Sequence, residues 1–231
     1  MNALAESMTI DKVYPWGRSF DEYVRMFHLS EADLRKRILC CADGPAAFNC
    51  EMTRRGGRIV SCDPLYTFNA EQIRQRIEAT REVLVEQARE NANRFVWDRI
   101  GSPADLGRLR MESMAQFLTD FEHGRLEERY VAQSLPRLDF GDGSFDMALC
   151  SHFLFLYSDE FSLDFHLLSV LEMTRLAHEA RIFPLLDMHG SRSVHLDPLI
   201  TSLKHHGRAV RIETVPYEFQ RGGNEMLRVI R

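Results

Sequence analysis

The residues best placed to do chemistry lie in two short stretches, Ala42-Asp-Gly-Pro45 and Asp63-Pro-Leu65. A loop of small residues directly after an apolar run lets a ligand approach the backbone closely. A carboxylate about twenty residues on, at the end of a second apolar run, can accept hydrogen bonds from both hydroxyls of a ribose. The pair therefore points to an adenosine-containing ligand. Histidine titrates near neutral pH and suits general-base work, so His152 is the candidate for an acid–base role, and Tyr157 just downstream could line the same pocket.

The elements that must position these groups follow from the hydrophobic pattern. Ile38 to Cys41 and Arg58 to Cys62 read as strands buried on both faces. Between them, Ala46 to Arg55 has helical spacing and stops at Gly56-Gly57. Upstream, Ser19 can cap a helix that begins Phe20-Asp-Glu22, and Ser30 to Asp33 offers a second cap. Trp16 and Tyr23 are close enough in the chain to cover the loop. Met1 to Val13 carries little pattern and reads as a loosely held arm.

The next strand arrives late. Pro64 and Glu128 are separated by about sixty residues, where a whole minimal crossover needs roughly thirty. Ala70 to Arg94 places Ile73, Ile77, Leu84 and Ala88 on one helical face, and Ser102-Pro-Ala-Asp105 opens a second helix running to Gly124. This insertion, residues 65–127, sits where ligands bind in open α/β folds and is expected to form a lid or a pocket wall; a helical buttress or a dimer surface is the other reading. Strands follow at Arg129–Ala132, Phe145–Cys150 and Arg181–Leu186, the last ending at Asp187, with helices over Leu163–Ala177 and His195–His206. Ala209–Val215 and Glu225–Ile230 close the chain as a strand pair.

Composition bounds the function. The chain has 231 residues, 45% hydrophobic and 27% charged, with a formal net charge of −5, which suits one domain with an elaboration. The acidic balance argues against a nucleic-acid-binding surface. No basic stretch followed by an apolar core marks a signal peptide, and no apolar run is long enough to span a bilayer, so a cytoplasmic protein is expected. Five cysteines at irregular spacing without a CxxC read as reduced thiols acting as small buried hydrophobes. Asp187, His189 and His195 match no metal-ligand spacing, and no metal is expected. Lys204 to His206 reads as a solvated helix end. Tyr217, Gln220 and Arg221 precede the last strand and could reach the site.

With these pieces placed, the chain resembles the class I S-adenosylmethionine-dependent methyltransferases. The likeness is carried by Ile38 to Phe48 with Gly56-Gly57 and Asp63-Pro64, by Leu138-Asp-Phe-Gly-Asp-Gly-Ser-Phe-Asp-Met-Ala-Leu-Cys-Ser-His152, which is similar to the family's LPF-DGSFD stretch, and by the closing strand pair. It implies a Rossmann-like α/β fold: a seven-stranded sheet of order 3-2-1-4-5-7-6 with its last strand antiparallel and helices on both faces. That is a single domain over 1–231 with an N-terminal helical arm, 1–36. It also implies S-adenosyl-L-methionine as cofactor, with Ala42, Asp43, Gly44 and Pro45 along its methionine part. Asp63 and Pro64 would lie at the ribose, Leu65 against the adenine, Ser134 and Leu135 near the adenine edge, and Ser151 with His152 beneath the sulfonium. The implied activity is methyl transfer to a small molecule by a monomer or homodimer. Cys40 stands where the family has an acid, and Ala42 and Ala46 where it has glycines; Asp43 is a candidate replacement for the acid. Those departures keep open a protein that binds the cofactor without turnover. A nicotinamide-dependent oxidoreductase is a third reading, opposed by the DGSFD stretch and the reversed final strand.

Overall fold

The computed structural model describes residues 15–231; the expected arm over Met1 to Val13 lies outside them. Seven strands form one sheet in the order β3-β2-β1-β4-β5-β7-β6, the order implied by the resemblance. They are β1 (Arg37–Cys41), β2 (Arg58–Cys62), β3 (Tyr130–Val131), β4 (Phe145–Ser151), β5 (Ala177–Phe183), β6 (Ala209–Thr214) and β7 (Glu225–Ile230). All neighbours are parallel except β7, which runs antiparallel to both β5 and β6.

Alternation along the strands sorts the core into two faces. Leu39 and Cys41 of β1 pack with Ala148 and Cys150 of β4 and Ile182 of β5 under α5 (Leu163–Leu176) and α6 (Leu196–His205). Ile38 and Cys40 point the other way, with Met147 and Leu149, against α1 (Phe20–Met26) and α2 (Phe48–Arg54). Tyr23 stacks on Phe48 at 4.6 Å between ring centres, which locks α1 to α2. Helix α1 starts at a full capping box between Ser19 and Glu22.

The insertion consists of α3 (Ala70–Glu90) and α4 (Pro103–Leu126). Asn69 and Gln72 form a capping box at the start of α3, and Ser102 with Pro103 opens α4. Ile73 and Ile77 of α3 meet Met114, Phe117 and Phe121 of α4 over Tyr66 and Tyr130. Residues 94–97 between them are tied to the β6–β7 connection: Val96 N–H donates to the Phe219 carbonyl and Arg221 N–H to that of Arg94, with Phe95 stacked on Phe219. The connection between the two insertion helices is thus held by the β6–β7 connection.

Two elements differ from the sequence reading by more than two residues. The fifth strand is Ala177–Phe183 rather than Arg181–Leu186, because the helix before it ends without a glycine and runs directly into the sheet. The long helix after Asn69 ends at Glu90, and Ala92–Arg94 form a separate 3-10 turn.

Candidate cofactor and acceptor site

A cavity of about 820 Å³ opens at the carboxyl ends of β1, β2 and β4, the side on which open α/β sheets bind ligands. Its walls include Ala42, Asp43, Gly44 and Pro45 after β1, Asp63 and Leu65 after β2, and Ser151, His152 and Tyr157 after β4. Chain segments more than a hundred residues apart thus meet at one place because the parallel sheet brings three strand ends side by side. Pro64, Ser134 and Leu135, from the same expectation, are not among the lining residues. Pro64 instead opens a 3-10 turn, Ser134 forms an isolated bridge with Arg137, and Leu135 is buried in the core beneath β1.

The loop after β1 is held from below. Ala42 N–H donates to the Cys62 carbonyl at 2.8 Å. Asp63 accepts from Gly44 N–H at 2.9 Å through one oxygen and from Leu65 N–H at 2.8 Å through the other. Each carboxylate oxygen has a second lone pair, so the group anchors the loop and still has acceptor capacity facing the cavity. Asp43 is engaged differently: Tyr23 Oη donates to it at 2.5 Å and Ser61 Oγ at 2.6 Å. It ties the loop to α1 and β2. Burial raises both carboxyls from 3.8 to about 6, opposed at each by those hydrogen bonds.

Two residues other than glycine at this site occupy the left-handed backbone region, Ala42 at φ +53° and His152 at φ +50°, and both line the cavity. A residue bearing a Cβ pays about 1–2 kcal/mol there, and such strain concentrates at functional sites. Ala46 is free of it: buried, with ordinary backbone, in the core beside Phe48. The His152 ring meets Ser151 Oγ through Nδ1 at 2.9 Å and lies edge-on to Phe183. Burial lowers its pKa well below 6.5, and the Arg18 and Arg110 guanidinium groups push the same way. The imidazole is therefore neutral at pH 7.

The N-terminal segment contributes more than its sequence signals. Trp16, Arg18 and Tyr23 all line the cavity. Gly17 packs so closely that a Cβ there would stand 2.0 Å from the Pro45 carbonyl oxygen. Behind it Glu22 accepts both arms of Arg110, at 2.6 and 2.8 Å, and the Tyr217 hydroxyl at 2.9 Å. Burial works against the Glu22 charge, yet Arg110 prevails and lowers its pKa to about 2. Nothing local in the sequence links Glu22 to residues 88 and 195 positions away; the signal was only an acidic residue in a first helical turn.

An apolar part of the cavity wall comes from the insertion (Leu84 and Phe95), from the segments after β4 and β5 (Leu156 and Met188) and from the β6–β7 connection (Phe219, with Gln220 beside it). Tyr217 serves the buried network, and Arg221 bonds to the Asn93 and Phe95 carbonyls. His189 meets Asp159 at the surface and His195 meets the Ser158 carbonyl. Among the described residues no group of histidine, cysteine or acidic side chains could hold a metal ion. All five cysteines are free and buried; Cys41 pairs in register with Cys62 and with Cys150, and burial raises the Cys150 thiol to about 12. No helix among the described residues is long and apolar enough to cross a membrane.

No protein-family model matches the chain. It is 33% identical over 212 residues to an uncharacterized protein, MJ0045, of Methanocaldococcus jannaschii, covering 91% of this chain and 93% of that one. Among solved structures it is similar to the magnesium protoporphyrin IX methyltransferase of Synechocystis PCC 6803, at 12% identity and a TM-score of 0.46 over 92% of this chain and 77% of that one. A second is the PH0226 protein of Pyrococcus horikoshii OT3, at 11% identity and a TM-score of 0.45 over 91% and 90%. The chain belongs to the family of the Methanocaldococcus protein, and the order and direction of its own seven strands are those of the class I S-adenosylmethionine-dependent methyltransferases.

Proposed function

We propose that the chain is an S-adenosylmethionine-dependent methyltransferase acting on a small-molecule acceptor. The observation that carries the reading is the convergence of the Ala42–Pro45 loop, Asp63 and the Ser151–His152 turn on one cavity. The residues fit the cofactor: the loop presents only one side chain larger than proline's, that of Asp43, and it is drawn back onto Tyr23 and Ser61. Space is open where a side chain at Gly44 would point. Asp63 would take the ribose hydroxyls, Leu65 would lie against the base, and the insertion would wall off the acceptor.

When bound, the cofactor supplies a methyl group on a sulfonium, which leaves as the acceptor's lone pair attacks in line. The chain's own work is alignment and exclusion of water. Helix α3 contributes Thr80, Leu84 and Gln87 to the cavity wall, where they would cover a bound acceptor. Neutral His152 can take a hydrogen bond or a proton from an acceptor hydroxyl. Its depressed pKa makes it a weak base, which suits an acceptor that ionises readily.

A binding protein without turnover remains the second reading, favoured by Cys40 where the family has an acid and by the strained Ala42. Calorimetric titration with S-adenosylmethionine and S-adenosylhomocysteine, with NADH as control, tests the cofactor: micromolar binding of the two sulfur ligands, lost in Asp63→Ala, is expected. Preference for NADH would overturn the reading. Methyl release in an acceptor screen separates enzyme from binding protein.

A further inference from the structure

Four guanidinium groups line the cavity: Arg18, Arg76, Arg94 and Arg110. Arg110 is neutralised by its two-armed pair with Glu22. Among the described residues the other three have no carboxylate partner. Arg76 lies over the Phe68 ring and Arg94 donates to the Met188 carbonyl. Arg18 is the most demanding of them. Among the described residues its one hydrogen bond goes to the Trp16 carbonyl, and its Nε is buried with no acceptor there. Burial, and then Arg110, lower its pKa against the opposing pull of Tyr217 and Glu22, so the group is held charged at a cost. Its backbone is fixed, since the Arg18 carbonyl accepts from Ala47 N–H at 2.9 Å at the start of α2.

The wall's own acids do not answer this demand. Asp43 is taken by two hydroxyls and Asp63 by two backbone N–H groups, while Glu90 is exposed at the rim. S-adenosylmethionine brings a single carboxylate together with two positive charges, so it leaves the arginine-lined wall short of anions. Arg18 also acts on His152, the candidate acceptor-side group. A single guanidinium presents the paired, coplanar donors that a carboxylate accepts. Phe153, Leu156, Met188 and Phe219 supply an apolar surface in the same cavity.

We propose that the methyl acceptor is a carboxylic acid with an apolar body, and that Arg18 holds its carboxylate. The inference rests on the methyltransferase reading, and its test separates the two. Benzoate and its neutral counterpart benzamide are titrated into wild type and Arg18→Gln, both free and saturated with S-adenosylhomocysteine. Wild type is expected to prefer benzoate by about tenfold or more, the scale of one charge-assisted hydrogen-bond pair. Arg18→Gln should abolish the preference, and Arg18→Lys, which keeps the charge without the fork, should retain part of it. The ratio of affinities for S-adenosylhomocysteine and 5′-methylthioadenosine, which lacks the aminoacyl end, should be unchanged by Arg18→Gln. Benzoate binding no better than benzamide to wild type overturns the proposal. So does a collapse of that ratio, which would place the cofactor's own carboxylate on Arg18. If S-adenosylhomocysteine itself does not bind, the methyltransferase reading fails and the acceptor assignment with it, while the benzoate comparison on the free protein still decides whether Arg18 holds a carboxylate.

Discussion

Ala42 offers a sharp test because it departs from glycine at a position where the backbone asks for one. Its φ of +53° costs a Cβ-bearing residue about 1–2 kcal/mol. Replacement by glycine removes that strain and adds about 0.4–1 kcal/mol of unfolded-state freedom against folding. The net for Ala42→Gly is a gain of about 0.5–1 kcal/mol, which in a chain of this size raises Tm by roughly 1–4 °C. Ala46 is the internal control: it is buried in the core with ordinary backbone, so Ala46→Gly loses a packed methyl and gains flexibility, a cost of about 1–2 kcal/mol. Scanning calorimetry on both variants reads the two signs directly. The Ala42 methyl also lines the cavity, so the glycine variant should bind S-adenosylhomocysteine at least as well as wild type. If Ala42→Gly lowers Tm as much as Ala46→Gly does, the strain argument is wrong.

Other consequences follow from the same contacts. Gly17→Ala drives a Cβ to within 2.0 Å of the Pro45 carbonyl oxygen; a loss above about 2 kcal/mol in denaturant unfolding and loss of ligand binding are expected. Arg110→Met strands the buried Glu22 charge and should cost about 3–5 kcal/mol, with Glu22→Gln restoring much of it in the double variant. Because the Glu22 pKa falls from 4.5 to about 2 on folding, its stabilisation is present above pH 4.5 and is lost as pH falls toward 2. Removing Glu22 should flatten that acid limb in urea titrations. Asp63 has the opposite sign: raised from 3.8 to about 6, its contribution to stability is greatest below 3.8 and is lost as pH rises through about 6. Ribose recognition needs its ionised form, so S-adenosylhomocysteine affinity should weaken below pH 6 and lose that dependence in Asp63→Asn.

The architecture was legible where the signal is local. Buried strands after Lys36 and Gly57, the Gly56-Gly57 stop and the DGSFD turn each declare themselves within a few residues, and together they fix three adjacent strands and the strand-end site. The insertion helices were legible from their caps and apolar period. The rest depends on contacts between distant segments. Arg18 carries no local mark in the sequence, and only the fold sets it at the cavity wall. Glu22, Arg110 and Tyr217 come from three separate elements, and no spacing rule joins them. Leu135 carries no mark that distinguishes a core residue from a pocket one, and its packing with Leu39 and Cys41 buries it, while half-buried Ser134 bridges to Arg137. The left-handed backbone of Ala42 was hidden because alanine does not advertise it as glycine does.

The central claim is that the cavity seats S-adenosylmethionine with its ribose on Asp63. A crystal structure of the protein with S-adenosylhomocysteine tests it most directly. The account predicts both ribose hydroxyls within hydrogen-bonding distance of the Asp63 carboxylate, the base against Leu65, and the sulfur between the Ala42–Pro45 loop and His152. A cavity left empty at saturating ligand, or a nucleoside bound away from Asp63, would contradict it.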